Sequence, residues 1–145
     1  VSKMKDIRRV FSYHGAEHKT IFCYERGLEL TVENVRKQIR FHPRCGTSFI
    51  FLVVLLSIII GMFLPWKNLW ARFGLQLLML IPETSIGYEL IKLAGRYDNI
   101  FTRIISAPGI WLQHITTCEP DDPQIEVAIA ALKPCIPENK EDDKW

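Results

Sequence analysis

The residues of this chain best suited to chemistry are His14-Gly15-Ala16-Glu17-His18, two histidines four positions apart with a carboxylate between them. On a helix, positions i and i+4 share a face, so both imidazoles can reach one ion. The order His-x-x-Glu-His matches the inverted zincin pattern, in which the histidines hold zinc and the glutamate serves as general base on water. His14 and His18 are therefore candidate ligands of a divalent metal, zinc by donor type, and Glu17 is the candidate catalytic residue. Gly15 weakens a helix at this point.

A metal needs further donors. His42 and Cys45 would complete a closed set of three histidines and one cysteine, the composition of a structural zinc site. Glu89 or Glu83 would instead give an open site of two histidines and one carboxylate. A third reading makes the histidines and Glu17 hydrogen-bonded packing. Arg44 reads as a lipid-phosphate contact or an interfacial anchor. Gln113, with Thr116 and Thr117, is a polar cluster that either faces a site or ends a helix, and the helix-ending turn is preferred.

These residues need elements to position them. Apolar residues at 4, 7, 10 and 11 form a helical stripe on a basic segment. Glu17 to Arg26 reads as a helix stopped by Gly27. Thr31 is an N-cap for a helix over 32–40, with Val32, Val35 and Ile39 on its apolar face and Pro43 as its stop. From Thr47 to Leu64 no residue is charged. At ~1.5 Å per residue this run covers about 27 Å, close to the apolar thickness of a bilayer. Pro65-Trp66-Lys67 suits an interfacial turn. Residues 73–91 form a second, less uniform span, kinked at Pro82, whose Glu83 must face protein or water. Residues 100–115 predict two short interfacial helices broken at Pro108-Gly109, with Trp111 at headgroup level. A short helix over 124–132 follows, then a solvated tail over 134–145.

The composition agrees with this division. Hydrophobic residues make up 48% of the 145-residue chain beside 23% charged ones, which implies segregated apolar runs. Lysine and arginine crowd the first 44 residues and acidic residues the last 28. Positive-inside bias places both ends of the segment on the cytoplasmic side. The basic half suits anionic lipid more simply than nucleic acid, which is not expected as a partner. Four widely spaced cysteines without a C-x-x-C pair argue against a disulfide framework. A start at Val1 predicts the C-terminal part of a longer protein.

Tyr13-His14-Gly15-Ala16-Glu17-His18-Lys19-Thr20, Tyr24-Glu25, Leu30-Thr31-Val32-Glu33-Asn34-Val35-Arg36 and His42-Pro43-Arg44-Cys45-Gly46-Thr47-Ser48 together resemble the YqhQ-like family of bacterial membrane proteins. So do Tyr88-Glu89, Pro108-Gly109, Trp111-Leu112-Gln113, Thr116-Thr117 and Glu119-Pro120-Asp121-Asp122. The likeness runs over nearly the whole chain. It implies a protein from a family labelled a domain of unknown function and described as predicted metal-dependent enzymes. Family members carry a glycine-rich N-terminal part that this chain lacks. His114 stands where the family is usually basic, which sets it apart from the ligands.

The sequence thus predicts a mainly α fold: a helical membrane protein with about two transmembrane helices plus interfacial and cytosolic helices. The expected regions are a basic cytosolic segment (1–46), a transmembrane hairpin (47–95), interfacial and cytosolic helices (96–133) and an acidic tail (134–145). The expected location is the bacterial cytoplasmic (inner) membrane, multi-pass. Two functions fit. One is a metal-dependent hydrolase facing the cytosol. The other is a non-enzymatic membrane assembly or biogenesis factor that binds membrane-protein partners or further copies of itself.

Overall fold

The computed structural model describes residues 5–65, 68–97 and 99–137. Six α-helices account for most of them: α1 (Lys5–Glu25), α2 (Val32–Arg36), α3 (Gly46–Phe63), α4 (Leu69–Arg96), α5 (Ile100–Thr116) and α6 (Asp122–Leu132). No strand occurs among the described residues. The chain divides into two units, one of residues 1–42 and 110–145, the other of residues 43–109.

The first unit carries the histidines. Its core is Ala16 and Cys23 from α1, Val35 from α2, and Ile125 and Ile129 from α6. Each of these pairs or singles lies on one helical face, so three amphipathic helices close on a small apolar centre. The expected pieces over 4–20 and 17–26 are one continuous helix, α1. It stops where predicted: Gly27 adopts φ +67°, and the Gly27 and Leu28 amides return to the Tyr24 and Cys23 carbonyls. Thr31 caps α2 through the Asn34 amide. The α2 helix ends at Arg36, not at 40, and Ile39 is exposed. Residues 40–42 are instead fastened by tertiary bonds, the Arg40 carbonyl to His18 and both backbone groups of His42 to Gln113. Asp121 and Gln124 form a reciprocal capping box that starts α6.

The second unit is built on α3 and α4, which pack together. Gln76 donates to the Ser57 hydroxyl and Arg72 to the Gly61 carbonyl. Gly87 admits the side chains of Phe49 and Val53. Pro82 lies inside α4, which continues for 14 residues beyond it to Arg96. Pro108 likewise lies inside α5, so the expected break at Pro108-Gly109 is absent. A Cβ on Gly109 would lie 2.6 Å from Ser48. That glycine serves close packing, not a turn.

The α3 helix is long and apolar enough to cross a membrane, and 22% of it is buried in the structure. A core helix of a soluble protein would be mostly buried. The second expected span, 73–91, falls within α4, which does not meet the same measure of apolarity and charge among the described residues. Trp66 and Lys67 of the expected interfacial turn lie outside the described residues, as do residues 138–145 of the expected tail. Residues 133–135, counted with that tail or just before it, form a turn of 3-10 helix.

Candidate metal centre

Residues 11 to 20 of α1 turn a mostly polar face inward: Ser12, His18, Lys19 and Thr20 are buried beside Gly15 and Ala16. Polar groups in such a position need partners, and each has one. Thr20 donates to the Ala16 carbonyl. The Lys19 ammonium is 5% exposed; it donates to the Arg36 carbonyl at 3.1 Å and pairs with Glu119 at 2.7 Å.

The two motif histidines are held in the same way. His14 Nδ1 lies 2.9 Å from the Thr116 carbonyl oxygen, and His18 Nδ1 lies 2.5 Å from that of Arg40. A carbonyl oxygen only accepts, so both Nδ1 atoms carry hydrogen. In the neutral ring the lone pair then belongs to Nε2. Both imidazoles thus have the tautomer and the outer-shell hydrogen bond typical of metal-binding histidines. Their ring centroids are 4.4 Å apart, and one ring nitrogen of each lies within 4.8 Å of the other. That separation suits two donors on one ion.

Gly15 makes this arrangement feasible. A Cβ there would collide with the Cys118 carbonyl oxygen. The Cys118 amide donates to the Phe11 carbonyl, so residues 116–118 lie directly against α1. This close approach brings the Thr116 carbonyl to His14. The glycine that weakens the helix in isolation is what lets its histidine be oriented.

His42 joins the same cluster. Its ring centroid is 5.8 Å from that of His18, and its Nε2 lies 3.3 Å from Glu25. Gln113 is fully buried. It accepts from the His42 amide at 2.8 Å and donates to the His42 carbonyl at 2.7 Å, fixing the backbone of that histidine. Both readings of the Gln113, Thr116 and Thr117 cluster have a counterpart: the Gln113 side chain faces the histidine cluster, while α5 ends at Thr116 and the Thr117 hydroxyl bonds back to the Gln113 carbonyl.

The other candidates are placed differently. Glu17 is exposed, whereas His18 is buried. Cys45 is buried in the second unit, where it precedes α3 and lies 3.0 Å from the Thr47 hydroxyl. Glu83 and Glu89 also belong to that unit, the first buried in α4 and the second exposed. The Arg44 side chain occupies the space that a Cβ on Gly95 would take. His114 is exposed and stacks on Phe41. All four cysteines are free, and burial pushes the Cys23 thiol above the ordinary range. Sequence spacing alone could not reveal Glu25, Lys19, Glu119 or the two carbonyls. Backbone acceptors carry no residue signature, and these partners come from distant parts of the chain.

The fold and this cluster define a class: an all-helical protein, in its described residues, that joins a buried histidine centre to a helix long and apolar enough for a membrane. The chain belongs to the family described as a protein of unknown function (DUF1385), whose model matches residues 1–138. It is similar to the uncharacterized protein YqhQ of Bacillus subtilis (strain 168), with 45% identity over 127 residues. That match covers 87% of this chain and 40% of the relative, so the chain spans less than half of the relative's length. No solved structure matches.

Proposed function

We propose that the chain is part of a membrane-anchored metal protein, with His14 and His18 as the resident ligands of a divalent ion. The observation that carries this reading is the pair of Nδ1-to-carbonyl hydrogen bonds, which leaves the lone pair of each neutral ring on Nε2. Imidazole donors fit zinc. His42, of the same unit, is the proposed third ligand. A bound zinc ion would supply Lewis acidity for hydrolysis if a position stayed open, and rigidity if all four were filled.

The role of the protein's own residues is clearer. Arg40 and Thr116 set the ring tautomers, Gln113 fixes the backbone at His42, and Glu25 orients its ring. Glu17 is exposed, and this favours a metal that fastens the helices over one that acts through Glu17. Anchoring in a bilayer through α3 is supported by that helix's length, apolarity and slight burial.

A second reading has its own support. The hydrogen bonds of the histidines already tie α1 to residues 40–42 and 116 without an ion. On that basis the chain is a non-enzymatic membrane assembly or interaction factor. Elemental analysis of the purified full-length protein separates the two. The metal reading expects about one zinc per chain, lost in His14→Ala and His18→Ala. A metal-free protein that keeps its fold in both variants leaves the second reading.

A further inference from the structure

The second unit carries a groove that the packing of α3 on α4 does not fill. It lies between α3 and α5, with Ile91 of α4 also in its wall, and holds about 320 Å3 of unfilled space, part of it open to the surroundings. Ser48, Leu52 and Leu55 line it from α3. Their i, i+4, i+7 spacing is one face of a helix, so the groove follows α3 for about 10 Å. From α5 it is lined by Ile105 and Ser106, and the two helices meet where Gly109 packs on Ser48. Ser48 stands in the first turn of α3, so that wall passes from a hydroxyl to purely apolar side chains away from the helix start.

The same end of the unit is basic. The Arg44 side chain, just before α3, lies across Gly95 in the last turn of α4, which brings the start of one helix to the end of the other. Lys92 and Arg96 flank that glycine, Lys92 directly following the groove residue Ile91. Arg103 precedes Ser106 by one turn of α5. Over residues 89–103 the sequence sets only Glu89 and Asp98 against these cations. Among the described residues neither Lys92 nor Arg96 takes part in a salt bridge. An apolar slot with surplus positive charge at one end suits an amphiphile that joins an acyl chain to an anion. A second copy of the chain fits less well. Copies inserted in the same orientation would bring identical cations to the same level, and like charges repel.

We propose that this groove binds one anionic phospholipid, its acyl chain along Leu52, Leu55 and Ile105 and its phosphate at Lys92 and Arg96, with Arg44 beside them. The site rests on the reading that α3 lies in a bilayer and is independent of any metal at His14 and His18. Native mass spectrometry of the full-length protein in non-ionic detergent, with phosphatidylglycerol and phosphatidylcholine supplied in equal amounts, tests it. Wild-type protein should retain one phosphatidylglycerol in clear preference to phosphatidylcholine. Lys92→Gln with Arg96→Gln keeps the groove and should weaken that retention about fivefold for each cation removed. Ile105→Trp keeps every cation but fills the groove, and should abolish retention. Should it not fold, Leu55→Trp fills the groove from the α3 side and reads the same quantity. Equal retention of the two lipids by wild-type protein would overturn the proposal. A preference that survives in the groove-filling variant would overturn it too, because surface charge alone would then account for the binding. Alkaline carbonate extraction separates loss of this site from loss of the anchor. Protein that stays in the membrane fraction without a lipid preference contradicts the site alone, whereas release contradicts the bilayer reading and the site with it.

Discussion

His14 and His18 differ from ordinary buried histidines in what holds them. Each gives its Nδ1 hydrogen to a backbone carbonyl, one 102 residues away and one 22 residues away in the chain. The spacing of the pair was legible in the sequence, because a helix puts i and i+4 on one face whatever surrounds it. The carbonyls were not legible, since any residue offers one. Gln113 was visible only as a polar residue in a cluster, and its bonds to both backbone groups of His42 give it a definite role. Gln113→Ala would leave that amide and carbonyl buried without partners, at about 1–3 kcal/mol for each group left unsatisfied. Denaturant unfolding should record a loss of at least about 2 kcal/mol. Cysteine chemistry gives a second check at this scale. Burial disfavours the thiolate of Cys23, while Cys135 is exposed. Alkylation of the folded protein at pH 8 should modify Cys135 well before Cys23, and equal rates would contradict the buried placement.

At the level of elements, local signals did well where the local chain decides and failed where packing decides. Gly27 and Thr31 end and start helices as their conformational preferences require. Pro82 was read as lying inside one helix, as it does, whereas Pro108 was read as a break yet stays within α5. Thr84 and Ser85 bond back to the Leu80 and Ile81 carbonyls near Pro82, and Gly109 packs on Ser48 beside Pro108. Gly15 shows the same lesson in reverse: its helix penalty is small beside the close contact it permits. Gly15→Ala should force α1 away from Cys118 and cost about 1–3 kcal/mol, as overpacking does. It should also disturb the His14 to Thr116 bond, visible as a changed His14 imidazole signal in NMR. Asp121→Ala removes the side-chain half of the α6 capping box and should cost about 1 kcal/mol in thermal or denaturant unfolding. An unchanged stability would mean that the cap is not formed in solution.

For the whole molecule, the segregation of apolar and charged residues was legible, and it corresponds to two units of different character. A large share of the apolar side chains of α3 and α4 is exposed, among them Ile50, Ile58, Met62, Phe73, Leu78 and Ile81. A water-soluble monomer rarely shows apolar surface on that scale, whereas a bilayer covers it. The protein should therefore remain in the membrane fraction after alkaline carbonate extraction, and release into the soluble fraction would contradict bilayer anchoring. The division between the histidine-bearing unit and the hairpin was not legible, because residues 1–42 pair with residues 110–145 across the intervening hairpin, and sequence-local patterns carry no trace of that pairing. The central claim remains the one made at His14 and His18. Its most direct test is the zinc content of the full-length protein purified in detergent without added chelator, measured alongside His18→Ala. The account predicts about one zinc per wild-type chain and near zero in a folded His18→Ala variant. Wild-type protein without metal, or a variant that retains the full complement, would contradict it.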